Sequence, residues 1–268
     1  MMEPIRSAVT KESLINGLRG IGVSGNMILE VHSSLSSFGF VAGGARTVVD
    51  ALLEIASEGG TILMPLQESS NSEPSAWSNP PLSPELWDEV RENTPPFSPQ
   101  FSDIPHMGSI VENFRNRPGV IFSDHPSAAY AAWGRYAKLL CNKQSLHFSL
   151  AEESPTAKIY EMKGFVLMLG TDFDACTCMH LAEYRSDCRP IGIHGASIQG
   201  TDGPVWKQYL DLDIDSADFD KIRPVMEKKR LINETDIGKC HVRFFSANTA
   251  VDEAVKYFEK TIVYDLYR

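Results

Sequence analysis

A run of small residues near the start of the chain, at residues 31–44, constrains the fold more than any other segment. Its sequence is VHSSLSSFGFVAGG. It follows the apolar residues Met27-Ile28-Leu29 and precedes a helical pattern that extends from Ala45 to Ile55. Serine hydroxyls, glycines and a helix N-terminus leave backbone N–H groups accessible, so such a connection suits a phosphate-bearing ligand. Because Ser/Gly-rich turns are common, these residues alone are a weak signal for a phosphate site, and an ordinary turn is the simpler alternative.

The same region predicts a β-α-β unit. Residues 27–31 form an apolar run of strand length, and residues 44–55 carry apolar side chains at helical spacing. A second apolar run, Thr61-Ile62-Leu63-Met64, ends at Pro65. Two strands that are joined by a helix imply parallel pairing with a right-handed crossover. We therefore expect an α/β sheet at the core of the protein.

Patterns along the rest of the chain predict further helices and strands without a clear domain boundary, so we expect a single domain over residues 1–268. The predicted helices are a helix capped by Thr10, one over 110–115, one over 128–140, one that begins at Ser154-Pro155, one that begins near Ala175, and two over 218–230 and 251–261. The predicted strands are 120–122, 165–169 and a hairpin over 191–212 that turns at 201–203.

A proline-rich insertion interrupts this pattern at residues 65–105. It contains nine of the 16 prolines, together with Trp77, Trp87, Phe97 and Phe101. A long irregular segment in a compact domain is typically functional or disordered, and the aromatic side chains argue for order because they need packing partners. We expect an ordered insertion, which either lines a ligand site or packs as a surface flap.

The composition excludes several classes of function. A net charge of −10 argues against general affinity for nucleic acids or acidic membranes, and suits either a cationic small substrate or simple solubility. No apolar run approaches the roughly 20 residues of a membrane span, and residues 1–10 lack the apolar core of a signal peptide. We therefore expect a cytoplasmic protein. Its five irregularly spaced cysteines imply no disulfide framework.

A second polar segment, GTDFDACTCMHLAEY at residues 170–184, follows the predicted strand 165–169. Open α/β sheets place their ligands at the carboxyl ends of strands, so this segment is a candidate site. On a helix, Glu183 lies one turn after His180 on the same face. A carboxylate at that spacing fixes the imidazole tautomer and makes the other ring nitrogen more basic, which favours a general base. A polar pair on a helix surface is the simpler alternative.

Three other chemistries are open for this segment. His180 and Glu183 could ligate a metal together with Asp174 or His125, although the two-histidine zinc-protease pattern is absent. Cys178 could act as a nucleophile with His180, but two residues apart on a helix they point to different faces. Cys176 and Cys178 could form a redox pair, with one residue fewer between them than the usual motif has.

Three other polar residues could contact a ligand or serve the structure. His125, in a polar turn before Pro126, either contacts a ligand or is hydrogen-bonded locally. His32 is expected to be a structural histidine with satisfied hydrogen bonds. Asp174 either lines an acidic pocket for a cationic amine or caps the helix that follows.

Several segments in order resemble the aminoglycoside 3-N-acetyltransferases, and the resemblance extends over nearly the whole chain. The matching segments are VHSSLSSFGFVAGG at 31–44, EGGTILMP at 58–65, PHMG at 105–108, HP at 125–126, AAWG at 131–134 and HLAE at 180–183. The resemblance implies a single α/β domain around a mixed central sheet that is flanked by helices. It also implies direct acetyl transfer from acetyl-CoA to the 3-amino group of a 2-deoxystreptamine ring, and therefore a role in antibiotic resistance.

The resemblance also assigns roles to residues. It implies that His180 is the general base and that Glu183 orients it, with no acyl-enzyme and no metal. The implied CoA-binding residues are Ser33, Ser34, Leu35, Ser36, Gly108, Ser109, Ile110 and His125. The insertion, Asp174 and Glu68 are expected to face the aminoglycoside, and the chain is expected to be a monomer or homodimer. The alternatives are a relative that acylates a different amine, a CoA-binding protein without catalysis, and a metal hydrolase.

Overall fold

The computed structural model of the chain describes residues 5–57 and 59–264. Residues 1–4 of the N-terminal stretch, and Glu58 in one of the resembling segments, lie outside the described residues. The described strands are β1 Ile28–Ser33, β2 Thr61–Gln67, β3 Ile121–Phe122, β4 Ala128–Gly134, β5 Phe165–Leu169, β6 Ile191–Gly200, β7 Gly203–Leu212, β8 Ile232–Ile237 and β9 Cys240–Ser246. The described helices are α1 Lys11–Gly20, α2 Ala45–Ala56, α3 Trp87–Asn93, α4 Gly108–Arg115, α5 Ala137–Cys141, α6 Pro155–Glu161, α7 His180–Tyr184, α8 Phe219–Lys228 and α9 Ala247–Phe258.

Seven of these strands form a mixed central sheet in the order β3-β4-β2-β1-β5-β9-β8. Strand β1 is parallel to both β2 and β5, and the remaining pairs of the sheet are antiparallel. This arrangement confirms the predicted α/β class, the mixed sheet and the parallel β-α-β unit. Strands β6 and β7 form a separate antiparallel hairpin, as predicted.

The sheet separates two hydrophobic layers. Because successive strand residues point to opposite faces, Leu29 and Val31 of β1 pack in one layer and Ile28 in the other. The first layer contains buried residues of α1, α2 and α4, and the second contains those of α5 to α9. The residues of the 170–184 segment therefore lie on the second face. None of the described helices is both long enough and apolar enough to cross a lipid bilayer.

Two helix starts follow the predicted capping chemistry. The Thr10 hydroxyl accepts from the N–H of Ser13 at 3.2 Å, and the Ser13 hydroxyl accepts from the N–H of Thr10 at 2.9 Å. This reciprocal pair is a capping box. Ser154 accepts from the N–H of Ala157 at 3.2 Å, with Pro155 in the first helical position.

The structure corrects two predicted elements and adds one that the sequence analysis missed. Residues 128–140 were expected to form one helix, but they form strand β4 and the short helix α5. Strand β2 does not end at Pro65; it continues to Gln67, and Pro65 pairs with Tyr130 of β4. The hairpin of β8 and β9 was missed, although Gly238 at its turn has a φ of 63°.

The proline-rich insertion is ordered by specific contacts. It contains α3 and two short 3-10 turns, Pro74–Ala76 and Pro84–Leu86. The indole N–H of Trp77 donates to the Ser72 hydroxyl at 2.9 Å, and that of Trp87 donates to the Leu82 carbonyl at 3.1 Å. Arg115 of α4 donates to the Ser102 carbonyl at 2.7 Å, which ties the end of the insertion to the first helical layer.

Candidate active site

His180 is the first residue of α7, and two 3-10 turns, Phe173–Ala175 and Thr177–Met179, connect it to the carboxyl end of β5. The helix therefore begins later than the sequence predicted, but the one-turn spacing to Glu183 is preserved. Nδ1 of His180 lies 2.5 Å from Oε2 of Glu183. Glu183 is fully buried, and the His180 ring packs edge-on against Phe219 at a centroid distance of 4.9 Å.

This contact determines which imidazole nitrogen is available for chemistry. A carboxylate that accepts from Nδ1–H places the lone pair on Nε2. No group in the described part of the chain hydrogen-bonds to Nε2 of His180, and the residue lines an open cleft. The pair thus has the geometry of an oriented base.

Arg189 holds the other carboxylate oxygen of Glu183. Its Nε donates to Oε1 at 2.6 Å, and the backbone N–H of Asp215 donates to the same oxygen at 3.1 Å. Arg189 is itself buried, and its Nη2 donates to the Asp215 carbonyl at 2.8 Å and to Asp218 at 3.4 Å. Sequence reasoning missed Arg189, because no motif connects it to the His180 segment.

The cleft has a volume of about 450 Å³ and an acidic lining. Its charged residues are acidic, and no lysine or arginine is among the described residues that line it. The lining residues are Gln67, Glu68, Ser69, Ser72, Glu73, Ser127, Ala128, Ser149, Leu150, His180, His194, Gly195, Tyr209, Asp211, Leu212, Ile214, Asp215 and Ser216. A larger cavity of about 750 Å³ lies behind Glu183 and Tyr184, but His180 does not line it.

The acidic residues of the cleft differ in how far they are already neutralised. Glu73 is paired with Arg91 through both carboxylate oxygens. Burial raises the pKa of Glu73, but its hydrogen bonds with Arg91 and Ser75 outweigh this and lower the pKa overall. Asp211 accepts from the Tyr184 hydroxyl at 2.6 Å and from the Ser149 N–H at 3.1 Å. Glu68 accepts only at Oε1 among the described residues, from the N–H and hydroxyl of Ser70. Its second oxygen therefore remains available to a cation.

The predicted phosphate segment lies at the carboxyl end of β1. The N–H of Ser34 donates to the Leu169 carbonyl at 2.9 Å, and its hydroxyl lies 3.1 Å from that of Ser36. Leu35 begins a 3-10 turn, so the first N–H groups of this turn have no partner within it. Ser33 carries a buried hydroxyl without a hydrogen-bond partner in the structure.

Helix α4 begins beside this turn. Gly108 has a φ of 80°, and a Cβ at this position would lie 4.0 Å from the Ser33 carbonyl oxygen. Ser109 is exposed, whereas the side chain of Ile110 is buried in the core, so Ile110 offers only its backbone. The structure therefore brings together the two segments that were predicted separately as CoA-binding.

Gln67 connects the cleft to the start of α4, which lies beside the phosphate segment. The N–H of Gln67 donates to the sulfur of Met107 at 3.4 Å, immediately before α4, and Gln67 also lines the cleft. Both sites lie at the carboxyl edge of neighbouring strands β1, β2 and β5, where α/β sheets bind ligands. A molecule bound at one site can therefore extend to the other.

Two predicted site residues lie elsewhere. Asp174 is exposed in its 3-10 turn and is not among the residues that line the cleft. His125 is 2% exposed, and both of its ring nitrogens contact the backbone. Nδ1 accepts from the N–H of Ala128 at 3.0 Å, and Nε2 lies 3.2 Å from the Leu146 carbonyl. His125 therefore organises its turn and has no free nitrogen for CoA.

The structure also bears on the alternative roles of the cysteines and of a metal in the 170–184 segment. Cys178 is fully buried, and its hydrogen bond with Cys176, its burial and the neighbouring Glu30 carboxylate raise its pKa well above the ordinary value. A thiol that is held protonated in this way is a poor nucleophile. Cys176 and Cys178 are free thiols. Within the described residues, His180 and Glu183 belong to no group of three converging metal donors.

The environment of His125 makes stability depend on pH. Burial lowers the pKa of His125 below its ordinary value of 6.5, although the Leu146 carbonyl opposes this change. The unfolded chain therefore binds a proton at His125 more readily than the folded chain does. For this reason the neutral His125 costs no stability above about pH 6.5, and the folded state loses free energy of unfolding as the pH falls below that value. We expect wild-type protein to lose more free energy of unfolding between about pH 7 and pH 5 than His125→Asn. The asparagine Oδ1 accepts the same N–H groups without titrating. Urea denaturation at both pH values tests this, and equal losses would contradict it.

Comparison with known proteins identifies the family. The family model for aminoglycoside 3-N-acetyltransferases matches residues 31–259. The SPbeta prophage-derived aminoglycoside N(3')-acetyltransferase-like protein YokD of Bacillus subtilis (strain 168) is 40% identical over 250 residues, which cover 93% of this chain and 92% of YokD. The crystal structure of YokD matches with a TM-score of 0.89 and covers 94% of this chain and 100% of that one.

Two further solved structures contain ligands. The binary complex of AAC-IIIb with CoASH is 27% identical, has a TM-score of 0.85, and covers 95% of this chain and 97% of that one. A variant of AAC(3)-IVa in complex with a gentamicin is 26% identical, has a TM-score of 0.80, and covers 95% of this chain and 90% of that one. The chain therefore belongs to the aminoglycoside 3-N-acetyltransferase family, which uses acetyl-CoA.

Proposed function

We propose that this protein transfers the acetyl group of acetyl-CoA to the 3-amino group of an aminoglycoside, with His180 as the general base. The observation that carries the proposal is the oriented His180–Glu183 pair in an acidic cleft that reaches the start of α4, beside the phosphate segment. The CoASH complex of AAC-IIIb and the gentamicin complex of AAC(3)-IVa support the choice of donor and acceptor.

The chemistry requires a base because an aminoglycoside amine is largely protonated near neutral pH. Nε2 of His180 accepts a proton from the amine, and the Glu183 carboxylate stabilises the imidazolium that forms. The amine nitrogen then forms a bond to the thioester carbonyl carbon. The carbon–sulfur bond breaks and the CoA sulfur leaves with the electron pair. The nitrogen loses its second surplus proton as the amide forms, the sulfur takes up that proton, and His180 returns the first one to solvent. The transfer is direct because no nucleophilic side chain is needed.

The donor is proposed to bind along the edge of the sheet. Ser33, Ser34, Leu35 and Ser36 offer hydroxyl and N–H groups to the CoA diphosphate, and Gly108 and Ser109 add the start of α4. Adjoining helix N-termini favour an anion through their free N–H groups and partial positive charge. The thioester end would then extend past Gln67 toward His180.

The experiment that tests this function measures thiol release from acetyl-CoA with a panel of aminoglycosides as acceptors. We expect release with 2-deoxystreptamine compounds that carry a free 3-amine, and none when that amine is blocked. Release with other amines only would assign the chain a different acceptor. Absence of release with every amine, despite measurable CoA binding, would contradict acetyl transfer.

Glu68 is proposed to contact a substrate ammonium group. Replacing it by glutamine keeps the Ser70 contacts but removes the charge that faces the cleft. Because a hydrogen bond to a charged group contributes about 1.5–3 kcal/mol, we expect Glu68→Gln to raise the KM for the aminoglycoside by about 10- to 100-fold. The KM for acetyl-CoA should stay unchanged. Glu85→Gln, in the insertion but outside the cleft, is the matched control, and an equal effect there would argue against a specific contact.

A further inference from the structure

A buried group of polar side chains lies between β1 and the turns that precede His180, outside the cleft. It comprises Glu30, His32 and Cys176, whose donor atoms all lie within 4.8 Å of one another. The sulfur of Cys178 lies 3.7 Å from that of Cys176. Across residues 5–57 and 59–264, this is the one group of three or more histidine, cysteine or acidic side chains that converges in this way.

The fold explains why these residues meet. Glu30 and His32 are two positions apart on β1, so both point to the sheet face that α7 covers. Cys176 and Cys178 lie at and within the 3-10 turn after β5, the strand that pairs with β1. Glu30, Cys176 and Cys178 are fully buried, and His32 is 6% exposed.

The group contains an unsatisfied polar atom. Nε2 of His32 is buried and has no hydrogen-bond partner among the residues that the structure describes, although it lies 3.4 Å from Oε2 of Glu30. The expectation that His32 is a satisfied structural histidine was therefore wrong. Buried nitrogen atoms without partners are rare and costly, so such an atom beside a buried carboxylate requires an explanation. A cation that binds both atoms would remove the cost.

We propose that Glu30, His32, Cys176 and Cys178 form a binding site for one zinc ion. Tetrahedral zinc has bonds of about 2.3 Å to sulfur and about 2.0–2.2 Å to nitrogen and oxygen, which place two sulfur ligands about 3.8 Å apart and a nitrogen–oxygen pair about 3.4 Å apart. The two thiols are 3.7 Å apart, and the His32–Glu30 pair is 3.4 Å apart. These two pairs have separations that suit the ion. Cys178 is not among the donors that already lie within 4.8 Å of one another, so its side chain would have to turn toward the ion to complete the tetrahedron.

The surroundings suit such an ion. Oε1 of Glu30 accepts from the Tyr130 hydroxyl at 3.2 Å, and Oε2 accepts from the N–H of Cys178 at 3.2 Å. Hydrogen bonds of this kind orient metal-binding carboxylates. Zinc binding converts the two thiols to thiolates and releases two protons, which leaves one net negative charge beside these donors.

The consequence concerns the relation between the two substrate sites. Strand β1 leads into the phosphate segment at Ser33, and the turn that holds Cys178 leads into His180. An ion held by both elements would fix the general base relative to the CoA site. It would play no part in proton transfer, because His180 is not one of its ligands.

The test is a cobalt titration of protein that has been stripped with a chelator. Cobalt(II) takes zinc sites and gives a thiolate-to-cobalt charge-transfer absorption that reports sulfur ligands directly. We expect saturation at one equivalent, displacement by zinc, and one zinc per chain by elemental analysis. Cys176→Ser and His32→Asn are expected to weaken binding by at least about tenfold, on the scale of lost metal contacts. Cys141→Ser, which changes a buried thiol that is not among the converging donors, should bind like wild type.

Two outcomes would overturn the site: no charge-transfer absorption in the wild-type protein, or an absorption that Cys176→Ser and His32→Asn leave unchanged. The wild-type titration decides the question even if a variant fails to fold. None of these readouts depends on acetyl transfer, so failure of the metal site and failure of the proposed function are distinguishable.

Discussion

Replacing His180 by alanine is expected to lower kcat by about 10²–10⁴-fold, the usual contribution of a general base. The affinity for CoA should change little, because His180 lies in the acceptor cleft and not in the phosphate segment. The fold should also tolerate the change, since the ring makes its one hydrogen bond in the described structure to Glu183. Steady-state kinetics with acetyl-CoA and a 2-deoxystreptamine acceptor, together with CoA binding by calorimetry, check both expectations.

His194→Ala is the matched control for this experiment. His194 lines the same cleft, but its ring is partly exposed and its Nε2 lies 3.2 Å from Asp213. It has no buried carboxylate to orient it as a base, so its loss should alter acceptor binding more than kcat. Near-normal turnover in His180→Ala, or an equal loss of kcat in both variants, would remove His180 from the proposed mechanism.

The central part of the fold was predictable because its signals are local. An apolar strand, a helix with apolar residues at Val48, Val49 and Leu52, and a second apolar strand define a β-α-β unit within about forty residues. The capping residues Thr10 and Ser154 also act within three positions of themselves. Such features depend little on the rest of the chain.

The errors arose where tertiary contacts outweigh local propensity. The alanines at 128–132 favour a helix in isolation, but here they form the strand between β2 and β3. Small side chains suit this strand because Ala129, Ala131 and Ala132 are fully buried under the two helical layers. The missed hairpin is different, because alternation over 240–246 and the glycine at 238 were available in the sequence.

The candidate site also contains some contacts that local sequence spacing predicts and others that depend on the tertiary fold. The His180–Glu183 pair was predictable because helical geometry sets a contact three residues apart. The meeting of Ser33 with Gly108, and of Gln67 with Met107, depends on the sheet order and could not be inferred from spacing. Arg189 was missed for a different reason: it reaches Glu183 from an irregular loop six residues further along the chain, and no sequence pattern marks that loop.

Arg189 is also the residue whose loss should most affect stability. Replacing it by methionine keeps an unbranched side chain of similar length but leaves the Glu183 carboxylate buried without its cation. Removal of one partner of a buried ion pair costs about 3–5 kcal/mol. We expect Arg189→Met to lower the free energy of unfolding by this amount, as measured by urea denaturation. Arg185→Met is the control, because Arg185 pairs with an exposed Glu152 and surface pairs contribute about 0–1 kcal/mol.

The double variant Arg189→Met/Glu183→Gln separates the charge from the shape of the site. Glutamine removes the buried charge, so part of the lost stability should return when both residues are changed. The activity of the double variant should be low, because the glutamine amide cannot stabilise an imidazolium as a carboxylate does. This split is the expected result if Arg189 balances the buried charge of Glu183 and holds its carboxylate in place for His180. If Arg189→Met cost no more stability than Arg185→Met, or if the double variant were less stable than Arg189→Met alone, Arg189 would have no such positioning role.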